Sequence, residues 1–170
     1  MIRILQFLAL ILVANFSSCT TNTNKHQLQS FVYDNEKILL PDQKKYLDST
    51  YRCHESKTTN EIVLVTTPDF GKFANNLLFA VNFGTRMGVG KIDYDNGVII
   101  SFSKAKRDIF IATSRGTERK LKDEIVKKII DSLMIPKFKQ GHYFEGLKVG
   151  SKAIVEFLEK PVNRIEKQKK

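Results

Sequence analysis

Residues Gly88 to Ser103 constrain this fold more than any other stretch. They read Gly-Val-Gly-Lys-Ile-Asp-Tyr-Asp-Asn-Gly-Val-Ile-Ile-Ser-Phe-Ser. A glycine-broken helix end, an acidic loop and an apolar strand follow one another without a gap. A strand that apolar needs cover on both faces, so the chain must supply helices around it. Glu61–Thr67 is a second β-branched, apolar run and reads as a strand. Val98–Ser103 and Asp108–Thr113 read as strands joined by the polar turn Lys104–Arg107.

The helical segments fall between and after these strands. Pro41 suits a first helical position and opens a helix to about Ser56, with Leu47, Tyr51 and His54 on one face. Leu40 stands where a capping oxygen is usual, an omission worth about 1 kcal/mol. Gly71 and Lys72 lead into a second helix to about Met87, with Phe73, Leu77, Ala80, Val81 and Gly84 inward. A third runs from Glu118 to Leu133 with Leu121, Ile125, Ile129 and Leu133 inward, stopped by Pro136. The fourth spans Gly141–Leu158 with Leu147, Ile154 and Leu158 inward. Helices flanking a few buried strands predict a single α/β domain, a small central sheet sandwiched by helices on both faces.

The N-terminus speaks to compartment. Ile4–Phe16 is apolar apart from Gln6 and Asn15 and is shorter than the roughly 20 residues of a membrane span. With Arg3 before it and small residues after it, it fits a secretory signal. Phe16-Ser-Ser-Cys19 resembles a bacterial lipoprotein cleavage box. That resemblance implies a signal peptide over 1–18 and a lipidated Cys19, so that the protein faces the periplasm from a membrane of the cell envelope. The expected layout is then a polar tether over 19–30, the α/β domain over 31–159 and a basic tail over 160–170. Lipid on Cys19 leaves Cys53 without a disulfide partner. Cys53 and His54 are adjacent on a helix and point about 100° apart, which argues against a nucleophile–base pair.

The net charge is +10, and removing residues 1–18 takes away only Arg3. An exported basic chain seldom meets nucleic acid; anionic headgroups or an acidic partner suit it better. Lys160–Lys170 holds five cations against Glu166 and reads as a disordered basic arm.

Chemistry concentrates at Asp93, Asp95 and Asn96, whose oxygens suit a hard cation. In an extended loop, alternation would put Asp93 and Asp95 on one side. Asp34 follows an apolar pair and precedes a helix, which places it in a sheet-edge loop. Each feature has a local explanation too. Asp-Asn-Gly is a turn signal in its own right, Asp34 suits the turn before Pro41, and Glu118 suits a helix start through the dipole alone.

The order of segments resembles the TPM domain family of thylakoid lumenal phosphatase-like proteins, photosystem repair proteins and bacterial membrane-tethered relatives. The likeness rests on Val32–Gln43, Lys57-Thr58 with Glu61–Thr66, Gly88-Val-Gly90 with Asp95-Asn-Gly-Val98, Thr113-Ser-Arg-Gly116 with Glu118, Leu121 and Asp123, and Pro136–Gly146. Met87, Ser114, His142 and Leu40 depart from the family pattern.

The resemblance implies that Asp34 and Asp95 meet at one edge of the sheet. Two carboxylates in one cleft repel unless a cation or a proton lies between them, hence the expectation of Ca²⁺ or Mg²⁺. Asp93, Asn96, Thr113 and Glu118 would be further oxygen donors. A phosphatase mechanism can be drawn with Asp95 on the metal, Asp34 as ligand or general base, and Arg115 as phosphate clamp. Three readings stay open: a cation-binding accessory domain supporting an envelope membrane complex, a metal-dependent phosphomonoesterase, and a membrane-surface module using the basic arm. The accessory reading is favoured, as a monomer with no nucleic-acid role.

Overall fold

The computed structural model describes residues 28–168. The signal segment, Cys19 and most of the expected tether lie outside them. Four strands form one sheet: β1 (Val32–Asp34), β2 (Glu61–Thr66), β3 (Gly97–Ser103) and β4 (Asp108–Thr113), in the order β1-β2-β3-β4. β1, β2 and β3 run parallel and β4 is antiparallel to β3. The sequence expectation of a small sheet under helices on both faces is met. β1 is an addition, since only a loop was expected there.

Side-chain alternation assigns the two faces. Val63, Val65, Ile99 and Ser101 share one face by register. α2 (Asn76–Met87) lies over it: Asn76 Nδ2 donates to the Ser101 carbonyl, Asn76 Oδ1 accepts from Ser101 Oγ, and a Cβ on Gly84 would come within 2.8 Å of Ile99. Leu64, Ile100 and Phe102 point the other way. That face carries α1 (Pro41–Thr58) and α6 (Tyr143–Glu159), joined by a buried 2.5 Å hydrogen bond between Tyr51 and Ser151. The crossovers carrying α1 and α2 step the same way across the sheet yet use opposite faces. They therefore cannot both have the usual right hand.

The ends of the elements follow from local chemistry. Leu40 offers no oxygen to α1, but Gln43 Oε1 accepts from Leu40 N at 3.0 Å, which supplies half of a capping box. α2 starts at Asn76, later than the expected Gly71, because Asn75 Oδ1 accepts from Leu78 N at 2.9 Å and so sets the cap. Its buried face is Asn76, Ala80 and Gly84, backed by Phe79 and Phe83. Leu77 and Val81, expected inward, are exposed, at 44% and 50%.

The expected third helix also differs. A short α3 (Arg115–Glu118) is followed by α4 (Asp123–Ile129), a π-helical turn over Ile130–Met134 and α5 (Ile135–Lys139). Pro136 does not end the helix. The wider turn, in which Ile135 N donates to Ile130 O, absorbs the residue without an N–H. It also rotates Met134 inward and leaves Leu133 40% exposed. Gly146 and Gly150 of α6 admit this segment, since Cβ atoms there would fall 2.4 Å from Phe138 and 2.5 Å from Met134.

The folded unit is longer than expected at both ends. Leu28 is in the core and Ile165 is 6% exposed. The basic tail is packed rather than a free arm as far as Gln168: Lys167 pairs with Asp93 at 2.8 Å and Gln168 N donates to Asp93 O at 2.7 Å. No helix among the described residues is long and apolar enough to cross a membrane.

Candidate functional site: a groove beside the acidic loop

The parallel register fixes where the expected site residues lie. Asp34 is level with Thr66 on β2, whereas Gly97 is level with Glu61. Five residue steps of β2 separate the two levels, about 16 Å at strand rise. Asp34 therefore lies at the carboxyl edge of the parallel strands. Asp95, just before β3, lies at the opposite edge. The two carboxylates do not meet.

Asp34 is occupied locally. Its Oδ1 accepts from Thr66 Oγ1 at 2.5 Å and Ile38 N at 3.2 Å, and its Oδ2 accepts from Leu39 N at 2.9 Å. The carboxylate organises the turn that leads into α1. This corrects the shared-cation expectation: the local turn chemistry of Asp34 prevails.

The acidic loop is curled, not extended. Tyr94 N and Asp95 N both donate to Lys91 O, at 2.9 and 2.7 Å. Asp93 and Asp95 accordingly diverge. Asp93 turns out to Lys167, and Asp95 turns in with φ at +51°, a left-handed backbone that Asp tolerates. Asn96 is fully buried and is no ligand. Its Oδ1 accepts from Lys91 N at 2.8 Å, and its Nδ2 donates to Thr59 Oγ1 at 3.2 Å and Asn60 Oδ1 at 3.1 Å.

The loop is clamped to the Thr113–Gly116 turn through the Asp95 carbonyl, which accepts from Ser114 Oγ at 2.6 Å, Gly116 N at 2.9 Å and Thr117 N at 3.2 Å. Gly116 is obligatory, because a Cβ there would lie 2.1 Å from Tyr94 O. Ser114, a departure from the family pattern, needs no special backbone: its φ is −78° and its hydroxyl also accepts from Gly97 N at 2.6 Å.

Sequence reasoning missed the strongest electrostatic feature. Glu61 opens β2, is buried, and forms an ion pair with Lys91 Nζ while its Oε2 accepts from Gly90 N at 2.8 Å. Lys91 also reaches Glu55 Oε1 at 3.1 Å. Burial disfavours the ammonium, but the hydrogen bonds to Glu61 and Glu55 outweigh it and hold the Lys91 pKa above its usual value. A lone acid at the head of an apolar strand was the available signal.

Together these ties wall a groove of about 320 Å³. α2 contributes Val81 and Thr85, the loop contributes Val89, Ile92 and Asp95, and β4 contributes Thr113. Ile92 stands at its rim, 98% exposed. The Asp95 carboxylate and the Thr113 hydroxyl have no hydrogen-bond or ion-pair partner among the described residues. Arg115 and Glu118 line a different opening, with Arg119, Lys122, Asp123 and Glu124. Among the described residues no three acids, histidines or cysteines gather as a metal-holding group.

The model of the TPM domain matches residues 32–157. Similar solved structures include the N-terminal domain of a protein from P. gingivalis, with 27% identity, TM-score 0.73, and 84% of this chain and 90% of that chain covered. The BA42 protein from the psychrophilic bacterium Bizionia argentinensis gives 18% identity and TM-score 0.64 over 79% of this chain and 89% of that one. The N-terminal domain of a Corynebacterium glutamicum protein gives 9% and 0.60 over 76% and 80%; at such low identity it shares the fold alone. No curated protein sequence matches the chain. With the family pattern running through both the loop and the turn that wall the groove, this chain belongs to the TPM domain family.

Proposed function

We propose that this chain is a lipid-anchored TPM domain of the bacterial cell envelope. In this reading it is a binding domain that serves a membrane complex, with the groove beside Asp95 as its working surface. The observation that carries the proposal is the division of labour around the groove. Asn96, Ser114 and Glu61 are spent on holding backbone and Lys91 on Glu61 and Glu55, and the carboxylate of Asp95, which lines the cavity, has no partner among the described residues. A rigid apolar cleft with a few unspent polar groups is how binding sites are built. A carboxylate without a partner suits a cationic group: a divalent cation held with carbonyls or water, or a basic side chain of a partner.

The phosphatase reading is the weaker one. Its would-be general base Asp34 lies at the opposite edge of the sheet from its metal carboxylate Asp95, and its clamp Arg115 lines a different opening from the groove at Asp95.

A Ca²⁺ or Mg²⁺ titration followed by NMR tests the groove. Shifts should centre on Gly88–Gly97 and Thr113 and vanish in Asp95→Asn. An unchanged spectrum at millimolar cation would remove the divalent-cation part and leave the basic-partner part to a pull-down with the same variant. Fatty-acid labelling that persists in Cys19→Ser would remove the anchor. Turnover of an aryl phosphate that depends on Asp95 would overturn the preference for binding over catalysis.

A further inference from the structure

A second cleft lies where the C-terminal ends of α1 and α6 converge. It encloses about 260 Å³ and is lined by Lys57, Asn60, Glu159, Lys160 and Arg164. Helix C-termini present carbonyl dipoles and attract cations, so the basic residues alone have a structural explanation. Asn60 does not. It is 1% exposed, and its Nδ2 is a buried donor with no partner among the described residues.

The orientation of that amide is fixed by its neighbours. Lys91 N can only donate, so the Asn96 atom facing it is Oδ1, and Asn96 therefore presents Nδ2 to Asn60. Asn60 must meet it with Oδ1, which leaves Nδ2 on the other side of the amide, in a residue that lines the cleft. A bound cation cannot satisfy an N–H donor; an acceptor is required. Around that donor stand three cations against one acid. Among the described residues Lys160 and Arg164 have no ion pair, and Glu159 is engaged by Lys57 at 3.5 Å and His54 at 3.3 Å.

We propose that this cleft binds a phosphate group, with Asn60 Nδ2 donating from the floor and Lys160 and Arg164 closing over it. The guanidinium fork and the ammonium match phosphate oxygens, and the net positive lining offsets the helix ends. The site is separate from the groove at Asp95 and does not depend on its function. The phosphate is that of a soluble monoester or of an anionic lipid headgroup.

The test uses the full chain in nonionic detergent, titrated with inorganic phosphate at constant ionic strength and followed at the Asn60 side-chain NH₂ resonance by NMR. A saturable shift is expected, weakened roughly tenfold in Lys160→Gln/Arg164→Gln, whose exposed positions leave folding intact. A second arm places the chain in nanodiscs of phosphatidylcholine with or without phosphatidic acid. A shift with phosphatidic acid, reversed by free phosphate, identifies the headgroup as the source; a response to free phosphate alone identifies a soluble ligand. Chloride moving the resonance as much as phosphate does, or the double variant titrating like the parent, overturns the proposal.

Discussion

The two edges of the sheet use acidic residues in opposite ways. At the carboxyl edge of the parallel strands Asp34 is saturated by two amides and a hydroxyl, and Glu36 likewise accepts from Lys104 N and Ala105 N at 2.8 Å each. Acids there close turns. At the other edge Glu61 and the Asp95 carbonyl hold the loop, and the Asp95 carboxylate is left over. An acid with every oxygen satisfied is architecture, whereas one facing a cavity without partners is available for binding. The carboxyl edge of a parallel sheet is the customary ligand side. Here the built groove lies at the opposite edge, because the long loop between α2 and β3 supplies its wall.

That contrast can be broken or sharpened in order of effect. Gly116→Ala should cost about 3 kcal/mol or abolish folding, since the new Cβ would meet the Tyr94 carbonyl. An unchanged thermal midpoint would refute the described loop–turn contact. Glu61→Gln should cost about 2–3 kcal/mol in urea unfolding, because Lys91 loses its buried partner but keeps Glu55.

The same pair gives a pH signature. The folded-state pKa of Lys91 is raised, so its contribution is full below the unfolded value of 10.5 and is lost as pH climbs through the folded value. Stability should fall in that alkaline range in the parent and fall less in Glu61→Gln. Equal alkaline slopes would mean that the ion pair is not made.

Asp34→Asn should cost about 1 kcal/mol by weakening the charge-assisted bonds of its turn, and should leave any cation response at the groove untouched. A lost groove response in that variant would show that the two edges communicate. Asp95→Asn should change stability by no more than a few tenths of a kcal/mol, because the carboxylate has no partner among the described residues and Asn accepts a left-handed backbone. A large loss of stability would reveal that Asp95 is structural after all.

Much of the architecture was legible in the chain. The β-branched runs expected at Glu61–Thr67 and Val98–Ser103, Pro41 at a helix start and the spacing of Leu147, Ile154 and Leu158 all act within one element, and the structure has each to within a residue of its expected place. The inward face of α2 was misassigned because Leu77 and Val81 are as apolar as a core residue, while the true contact needs the small Gly84 against Ile99. The helix around Pro136 was cut short because a π turn is a tertiary accommodation, here to Met134 packing on Gly150. Of the residues that line the groove, Asp95 and Thr113 were already named from the sequence. The clamp of Glu61 and Lys91 was not, since the partners lie 30 positions apart in the chain and no local pattern links them.

By itself the sequence determined the three longer strands and the cores of the long helices, because periodicity and caps are properties of neighbouring residues. Only the tertiary structure decided which end of the sheet each acid would occupy. Strand direction and register come from pairing between segments far apart in the chain. Asp34 and Asp95 each adjoin a strand; one follows its strand and the other precedes it, and parallel pairing through β2 turns that difference into opposite edges of the molecule.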